Sequence, residues 1–173
     1  MAEWAIEPLD DRHDRAAFDC GKPPLDDWIR RYSGQYQRRD LVRLYVLVRP
    51  GEPRIYGYYA ISNRHIDFAH LPPGRAKALP RHLPLPAVLI GQLAVDRSVQ
   101  GQGLGDVLLV DALRRILALS DRVGILAVVV DAIDESARQF YLHRDFESFV
   151  DDPNRLFLTL QDLRRSGLKP LDG

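Results

Sequence analysis

Apolar positions recur along this chain in two periods, and the switches between them predict its elements. Trp4 to Leu9 alternates apolar and polar residues, which predicts a first strand. Pro23-Pro24 is followed by Leu25, Trp28, Ile29 and Tyr32, at spacings of three and four. Prolines are tolerated in a first turn, so a helix is expected from Pro23 to somewhere between Gln37 and Asp40. Leu41 to Val48 and Arg54 to Ile61 read as two strands of a hairpin, joined by the turn Pro50-Gly51-Glu52-Pro53. Residues 71–86 carry five prolines and several basic groups, so an exposed, extended connection is expected there.

Val88 to Val95 is the next expected strand, and Gly103 to Leu119 has the apolar stripe of an amphipathic helix. Gly124 to Asp131 is almost wholly apolar, as a central strand buried on both faces would be. A short helix over Asp134 to His143 follows. Phe146 to Phe149 and Leu156 to Leu160 then form a hairpin around Asp152-Pro153-Asn154. The order β-α-β-β-β-α-β-α-β-β implies an α/β (α+β) fold, a mixed sheet with helices on its faces.

Composition narrows the class without naming a function. The chain has 173 residues, 46% hydrophobic and 28% charged, which fits one globular domain over 1–173 and excludes a disordered or fibrous chain. Cys20 is its single cysteine, so neither a disulfide framework nor a thiolate zinc cluster is available. The start, Met-Ala-Glu-Trp, has no basic segment ahead of an apolar core. The longest apolar run, Ile125 to Val130, is far short of a membrane span. A cytoplasmic location with no membrane partner is the expectation.

Formal net charge is zero, but it is unevenly spread. Residues 30–81 hold eleven Arg and Lys against Asp40, Glu52 and Asp67, a local +8. Residues 1–29 and 121–153 each hold eight acids against three bases, a local −5. Arginines outnumber lysines 21 to 3, and a guanidinium's planar fork suits phosphate. Arg30, Arg31, Arg38, Arg39 and Arg43 are therefore candidate RNA contacts. Surface ion pairs of little consequence remain the alternative.

The segment richest in chemistry is Leu93-Ala-Val-Asp-Arg-Ser-Val-Gln-Gly-Gln-Gly-Leu-Gly105, placed directly before the long helix. Glycines at 101, 103 and 105 let successive backbone amides turn toward a ligand, and a helix N-terminus adds a positive dipole. Phosphate binding and a plain structural turn are both open on this evidence. No Gly-Lys-Ser/Thr follows, which excludes a Walker loop, and the spacing fits the dinucleotide fingerprint poorly.

Gln100-Gly-Gln-Gly-Leu-Gly105 resembles the Gln/Arg-x-x-Gly-x-Gly/Ala pyrophosphate loop of the GNAT N-acetyltransferases. Phe18-Asp-Cys-Gly21, Leu25-Asp-Asp-Trp28, Gly57-Tyr-Tyr59, Gly91-Gln-Leu-Ala-Val-Asp96, Val130-Asp-Ala132 and Ala137-Arg-Gln-Phe-Tyr141 occur in order. Together they resemble the acetyltransferase toxins of type II toxin–antitoxin modules over residues 15–160. Two positions depart from that pattern: Gln92 stands where arginine is usual, and Asp145 where glycine is usual.

The resemblance implies a GNAT fold and acetyl-coenzyme A as cosubstrate, with no metal. It implies a coenzyme site built from Leu93, Ala94, Val95, Gln100, Gly101, Gln102, Gly103, Leu104, Gly105 and Asp106. Tyr141 would be the general acid, since a phenol of pKa about 10 can protonate a thiolate leaving group. Its bland reading is a core residue between Phe140 and Phe146. The implied acceptor is the α-amino group of aminoacyl-tRNA, its acetylation blocking translation. The implied partners are a second copy of the chain and a ribbon-helix-helix antitoxin. A small amine or a protein N-terminus is the alternative acceptor, and a coenzyme-binding module without catalysis is the alternative class. No residue recommends itself as general base, Glu135 and His143 included, and Cys20 reads as a packing residue rather than a nucleophile.

Overall fold

The computed structural model describes residues 3–172. It has seven strands, β1 (Ala5–Pro8), β2 (Arg43–Val48), β3 (Gly57–Ile66), β4 (Leu85–Val95), β5 (Ala127–Asp131), β6 (Glu147–Ser148) and β7 (Arg155–Thr159). They form one sheet in the order β1-β2-β3-β4-β5-β7-β6. The α-helices are α1 (Pro23–Asp27), α2 (Ser33–Arg38), α3 (Pro73–Ala76), α4 (Leu104–Ser120), α5 (Glu135–Leu142) and α6 (Leu160–Arg165). The chain groups into two compact units, one reaching to Ser62 and including Gly91–Ala112, the other holding Asn63–Ile90 and the chain from Leu113 onward.

In the first unit β1 pairs antiparallel with β2, and β2 with β3. Alternation along β2 sends Leu44, Val46 and Val48 to one face, where they pack with Leu25 and Ile29. Leu47 faces the other way. A Cβ placed on Gly57 would meet Leu108 of α4 at 2.9 Å, the Ala94 carbonyl at 3.1 Å and Leu47 at 3.4 Å. Gly57 is thus required by close packing. Its two neighbours divide between the faces: the Tyr58 hydroxyl donates to the Leu25 carbonyl at 2.7 Å, and the Tyr59 hydroxyl to Asp111 at 2.5 Å.

The expected first helix is present but not uniform. Trp28–Tyr32 forms a π-helical turn between α1 and α2, an irregularity that the spacing of apolar residues does not encode. Here the Ser33 hydroxyl donates to the Ile29 carbonyl at 2.5 Å.

In the second unit β4 runs parallel to β5, β5 antiparallel to β7, and β7 antiparallel to β6. Ala127 to Val130 are fully buried, as the unbroken apolar run requires. The stretch 71–86 differs from expectation. Leu71 and Ala76 are buried, Pro73–Ala76 forms a helical turn, and Leu85 and Pro86 already belong to β4. Proline at a helix start and proline in the first residues of a strand are both permitted, so the proline count misled. Helix α6 lies beyond the expected hairpin. The Thr159 side chain caps it by accepting the Asp162 N–H at 3.1 Å.

Candidate functional site

The glycine-rich loop lies in the first unit, between β4 and α4. Gly101 and Gly103 have φ of +80° and +77°, a region L side chains rarely adopt, and nothing stands within 4 Å of where a Cβ would project. Gly101, Gln102 and Gly103 are exposed, while Leu104 is buried and pins the helix start. The first helical bond runs from the Val107 N–H to the Gly103 carbonyl, at 3.2 Å. The N–H groups of Gly101 through Gly105 therefore have no acceptor among the described residues. Such a run of free amides at a helix N-terminus is chemically matched to phosphate oxygens.

What holds this loop open is not itself glycine-rich. The Gln100 side-chain amide donates to the carbonyls of Cys20 and Val95, each at 2.9 Å. Both N–H donors of the Gln100 side chain are thereby spent on bracing the loop. Arg97 donates its backbone N–H to the Asp19 carbonyl at 2.8 Å and its guanidinium to the Asp19 carboxylate at 3.1 Å.

Asp96, only 4% exposed, accepts from the Asp19 N–H at 3.0 Å, the Ser98 N–H at 3.0 Å and the Ser98 hydroxyl at 2.7 Å. Burial opposes its charge, but these donors outweigh burial and lower its pKa. The Phe18–Gly21 segment is thus a strap against which the loop is tied. Sequence reasoning named Gln100 for its motif position and missed the bracing role of Asp96 and Asp19. The repeated Asp-x-Ser and Asp-x-Gly turn patterns were the available signal.

Leu93, Ala94 and Val95 occupy the end of β4, with Ala94 buried. Asp106 lies in the first turn of α4. Cys20 is buried, and burial pushes its thiol up to about 11, the condition of an inert packing residue.

Tyr141 lies in the second unit, in the last turn of α5. The helix starts where the Asp134 side chain accepts the Ala137 N–H at 2.8 Å. Tyr141 is 6% exposed and packs edge-on against Phe140 and Phe146, at ring separations of 5.2 and 5.3 Å. Burial raises the phenol's pKa above its ordinary value, Arg144 pulling it down and Asp131 pushing it up. The hydroxyl therefore stays protonated throughout the neutral range and is a weaker acid than a free phenol. Arg144 lies over the Phe140 ring at 3.7 Å and donates to the Phe140 carbonyl at 2.7 Å. Asp145 adopts φ +69°, the conformation for which glycine is suited. Nearby polar side chains have other partners: Glu135 holds Arg138 and Gln139, and the His143 ring bonds the Gln139 carbonyl.

The five candidate RNA-contact arginines are all exposed and belong to the first unit. They are not equally available. Arg43 binds the Asp40 carboxylate at 2.7 Å, Arg31 lies 4.0 Å from Asp27, and Arg30 donates to the Phe18 carbonyl. Arg38 and Arg39 have no carboxylate within salt-bridge distance among the described residues. No helix among the described residues is long and apolar enough to cross a membrane, and none of their His, Cys, Asp and Glu clusters could hold a metal ion.

No family model matches the chain. Over 90% of its length it is 36% identical to the tRNA-acetylating toxin of Mycobacterium tuberculosis, spanning 92% of that protein. Over 94% of its length it is 33% identical to the probable toxin TacT of Sinorhizobium fredii, again spanning 94%. Solved structures agree with the fold. A tyrosine-to-phenylalanine mutant of KacT superposes with a TM-score of 0.89 at 31% identity, covering 95% of this chain and 99% of its own. AtaT complexed with acetyl-methionyl-tRNAfMet gives 0.88 at 31%, with the same coverage. A tyrosine-to-phenylalanine mutant of AtaT, bound to the C-terminus of the antitoxin AtaR and acetyl-CoA, gives 0.82 at 28%, covering 97% and 100%. With 36% identity sustained over 90% of its residues, and the GNAT fold shared with KacT and AtaT, the chain belongs to the acetyltransferase toxins of toxin–antitoxin modules.

Proposed function

We propose that this protein transfers the acetyl group of acetyl-coenzyme A to the α-amino group of an aminoacyl-tRNA, and so blocks translation. The observation that carries the donor half is the row of unpaired amides from Gly101 to Gly105, held by the Asp96–Asp19 and Gln100–Cys20 bonds. The acceptor half is supported by the complex of AtaT with acetyl-methionyl-tRNAfMet and by the local +8 of residues 30–81.

Acetyl-coenzyme A supplies an acetyl group activated as a thioester. The amides of Gly101–Gly105, at the helix opening over residues 103–106, hold its pyrophosphate, and the backbone of Leu93, Ala94 and Val95 polarises the thioester carbonyl. An α-amino group, of pKa about 7.7 to 8.0, is partly neutral at cell pH and attacks without an assigned base. Tyr141, kept neutral by burial, gives its proton to the departing sulfur. That both KacT and AtaT were solved with a tyrosine replaced by phenylalanine supports a tyrosine in this role. Fixing both reactants in place supplies much of the remaining rate.

In this reading the protein works in the cytoplasm as a homodimer, since a tRNA is larger than one such chain can grip. A ribbon-helix-helix antitoxin with an acidic tail would neutralise the basic stretch. AtaT bound to the C-terminus of AtaR supports an antitoxin as the partner. Incubating the protein with labelled acetyl-coenzyme A and separate pools of charged tRNA, polyamines and peptides tests the acceptor. Label is expected in charged tRNA; label confined to polyamines or peptides refutes the acceptor, and none in any pool refutes catalysis.

A further inference from the structure

Gly34 sits inside α2 with ordinary helical geometry, so its backbone does not require glycine. A glycine in a helix interior costs about 1 kcal/mol relative to alanine. The space above it explains the residue. A Cβ there would overlap the Arg15 Nη1 and lie 3.1 Å from the Arg38 Nη1. Two guanidinium groups, from positions 23 residues apart, meet over one missing side chain.

Arg15 is half-buried and donates to the Ser33 hydroxyl at 3.3 Å. That hydroxyl spends its own proton on the Ile29 carbonyl, so it is fixed as an acceptor toward Arg15. Neither Arg15 nor Arg38 has a carboxylate within salt-bridge distance among the described residues. Other arginines of the same unit do: Arg12 with Asp10, Arg43 with Asp40, Arg54 with Asp96 and Arg97 with Asp19. Two like charges a few ångströms apart, one half-buried, repel each other, and an anion between them turns the repulsion into attraction.

We propose that Arg15 and Arg38, converging over Gly34, seat one backbone phosphodiester of the RNA acceptor. Two forked donors can each offer an N–H to one phosphate's oxygens. Arg39, exposed and with no carboxylate in salt-bridge reach among the described residues, follows at the end of α2. This seat rests on the aminoacyl-tRNA reading and deepens it: Arg15, inside a segment of net −5, becomes part of the RNA surface.

Gly34→Ala is the test, because it removes no charge and improves helix propensity. Its Cβ meets the mobile end of Arg15 and drives the two guanidiniums apart. The variant should melt at or above the wild-type temperature. Its charged-tRNA affinity should fall about tenfold, and the slope of log affinity against log salt should shrink by about one phosphate contact. Arg15→Gln should reproduce both changes, and affinity for acetyl-coenzyme A should stay the same in each variant. Wild-type protein with steep, salt-dependent tRNA binding that both variants retain overturns the seat alone. Wild-type protein with no tRNA affinity at low salt overturns the acceptor reading itself. Weakened acetyl-coenzyme A binding in either variant assigns the anion to the donor and overturns the RNA assignment.

Discussion

The Asp96 carboxylate accepts the backbone N–H of Asp19 at 3.0 Å across 77 positions of sequence. That bond, with two more from Ser98 to the same carboxylate, ties the strap before α1 to the turn that opens the glycine-rich loop.

Asp96→Asn should expose this dependence. An amide has one accepting oxygen in place of two, so at least one of its donors among Asp19, Ser98 and Arg54 is left unsatisfied, a cost of about 1–3 kcal/mol. The Asp96 pKa is depressed in the folded protein, so its stabilisation is present above the unfolded carboxylate pKa and is lost as pH falls through the folded value. Thermal melts from pH 7 downward should show a smaller acid-induced loss in Asp96→Asn than in wild type. The KM for acetyl-coenzyme A should rise more than kcat falls; the reverse split counts against a bracing role.

Gly103→Ala separates backbone conformation from bulk. Its φ of +77° penalises any side chain by about 1–2 kcal/mol, although the space beside it is open. Acetyl-coenzyme A affinity should fall roughly tenfold in Gly103→Ala and be abolished in Gly103→Glu, where charge repels the pyrophosphate. Gly124→Ala, with open space and no positive φ, is the control and should bind normally. Calorimetry on the folded variants decides; unchanged affinity in Gly103→Glu overturns the loop assignment.

Tyr141→Phe keeps the ring that packs between Phe140 and Phe146 and removes only the hydroxyl. Turnover should drop by roughly 10²–10⁴, the usual range for losing a general acid, with donor affinity nearly intact. Parallel losses in coenzyme affinity and turnover would make the residue structural.

Asp145 holds φ +69°, a backbone conformation that glycine adopts without strain. Asp145→Gly should therefore stabilise the fold by about 0.5–1 kcal/mol, read as a rise in melting temperature, and leave turnover unchanged. A lower melting temperature would mean that the carboxylate contributes more than its backbone strain costs.

The periodic elements were legible in the sequence because burial writes its period into residue order. The six-residue run Ile125–Val130 predicted the buried strand β5, and the stripe from Gly103 predicted α4. The glycines at 101 and 103 were legible too, since only glycine adopts their backbone conformation freely. The π-helical turn at Trp28–Tyr32 was not, because it changes hydrogen-bond register without changing which residues are apolar. Neither were α3 and α6, where prolines and a short polar helix hid buried positions.

Sequence by itself determined the fold class, through the period of its apolar positions; the donor loop and the candidate tyrosine are proposed from the family resemblance that its motifs carry. Only the tertiary structure decided which polar groups are spent and which are free. It committed Gln100, Asp96 and Arg97 to the strap at Asp19 and Cys20, and Arg43 to Asp40. It left the amides of Gly101–Gly105 without an acceptor among the described residues, and it brought Arg15 to Arg38 over Gly34. The physical reason is that hydrogen bonds and charge pairs are set by distance in space. Composition along the chain records only how many such groups exist.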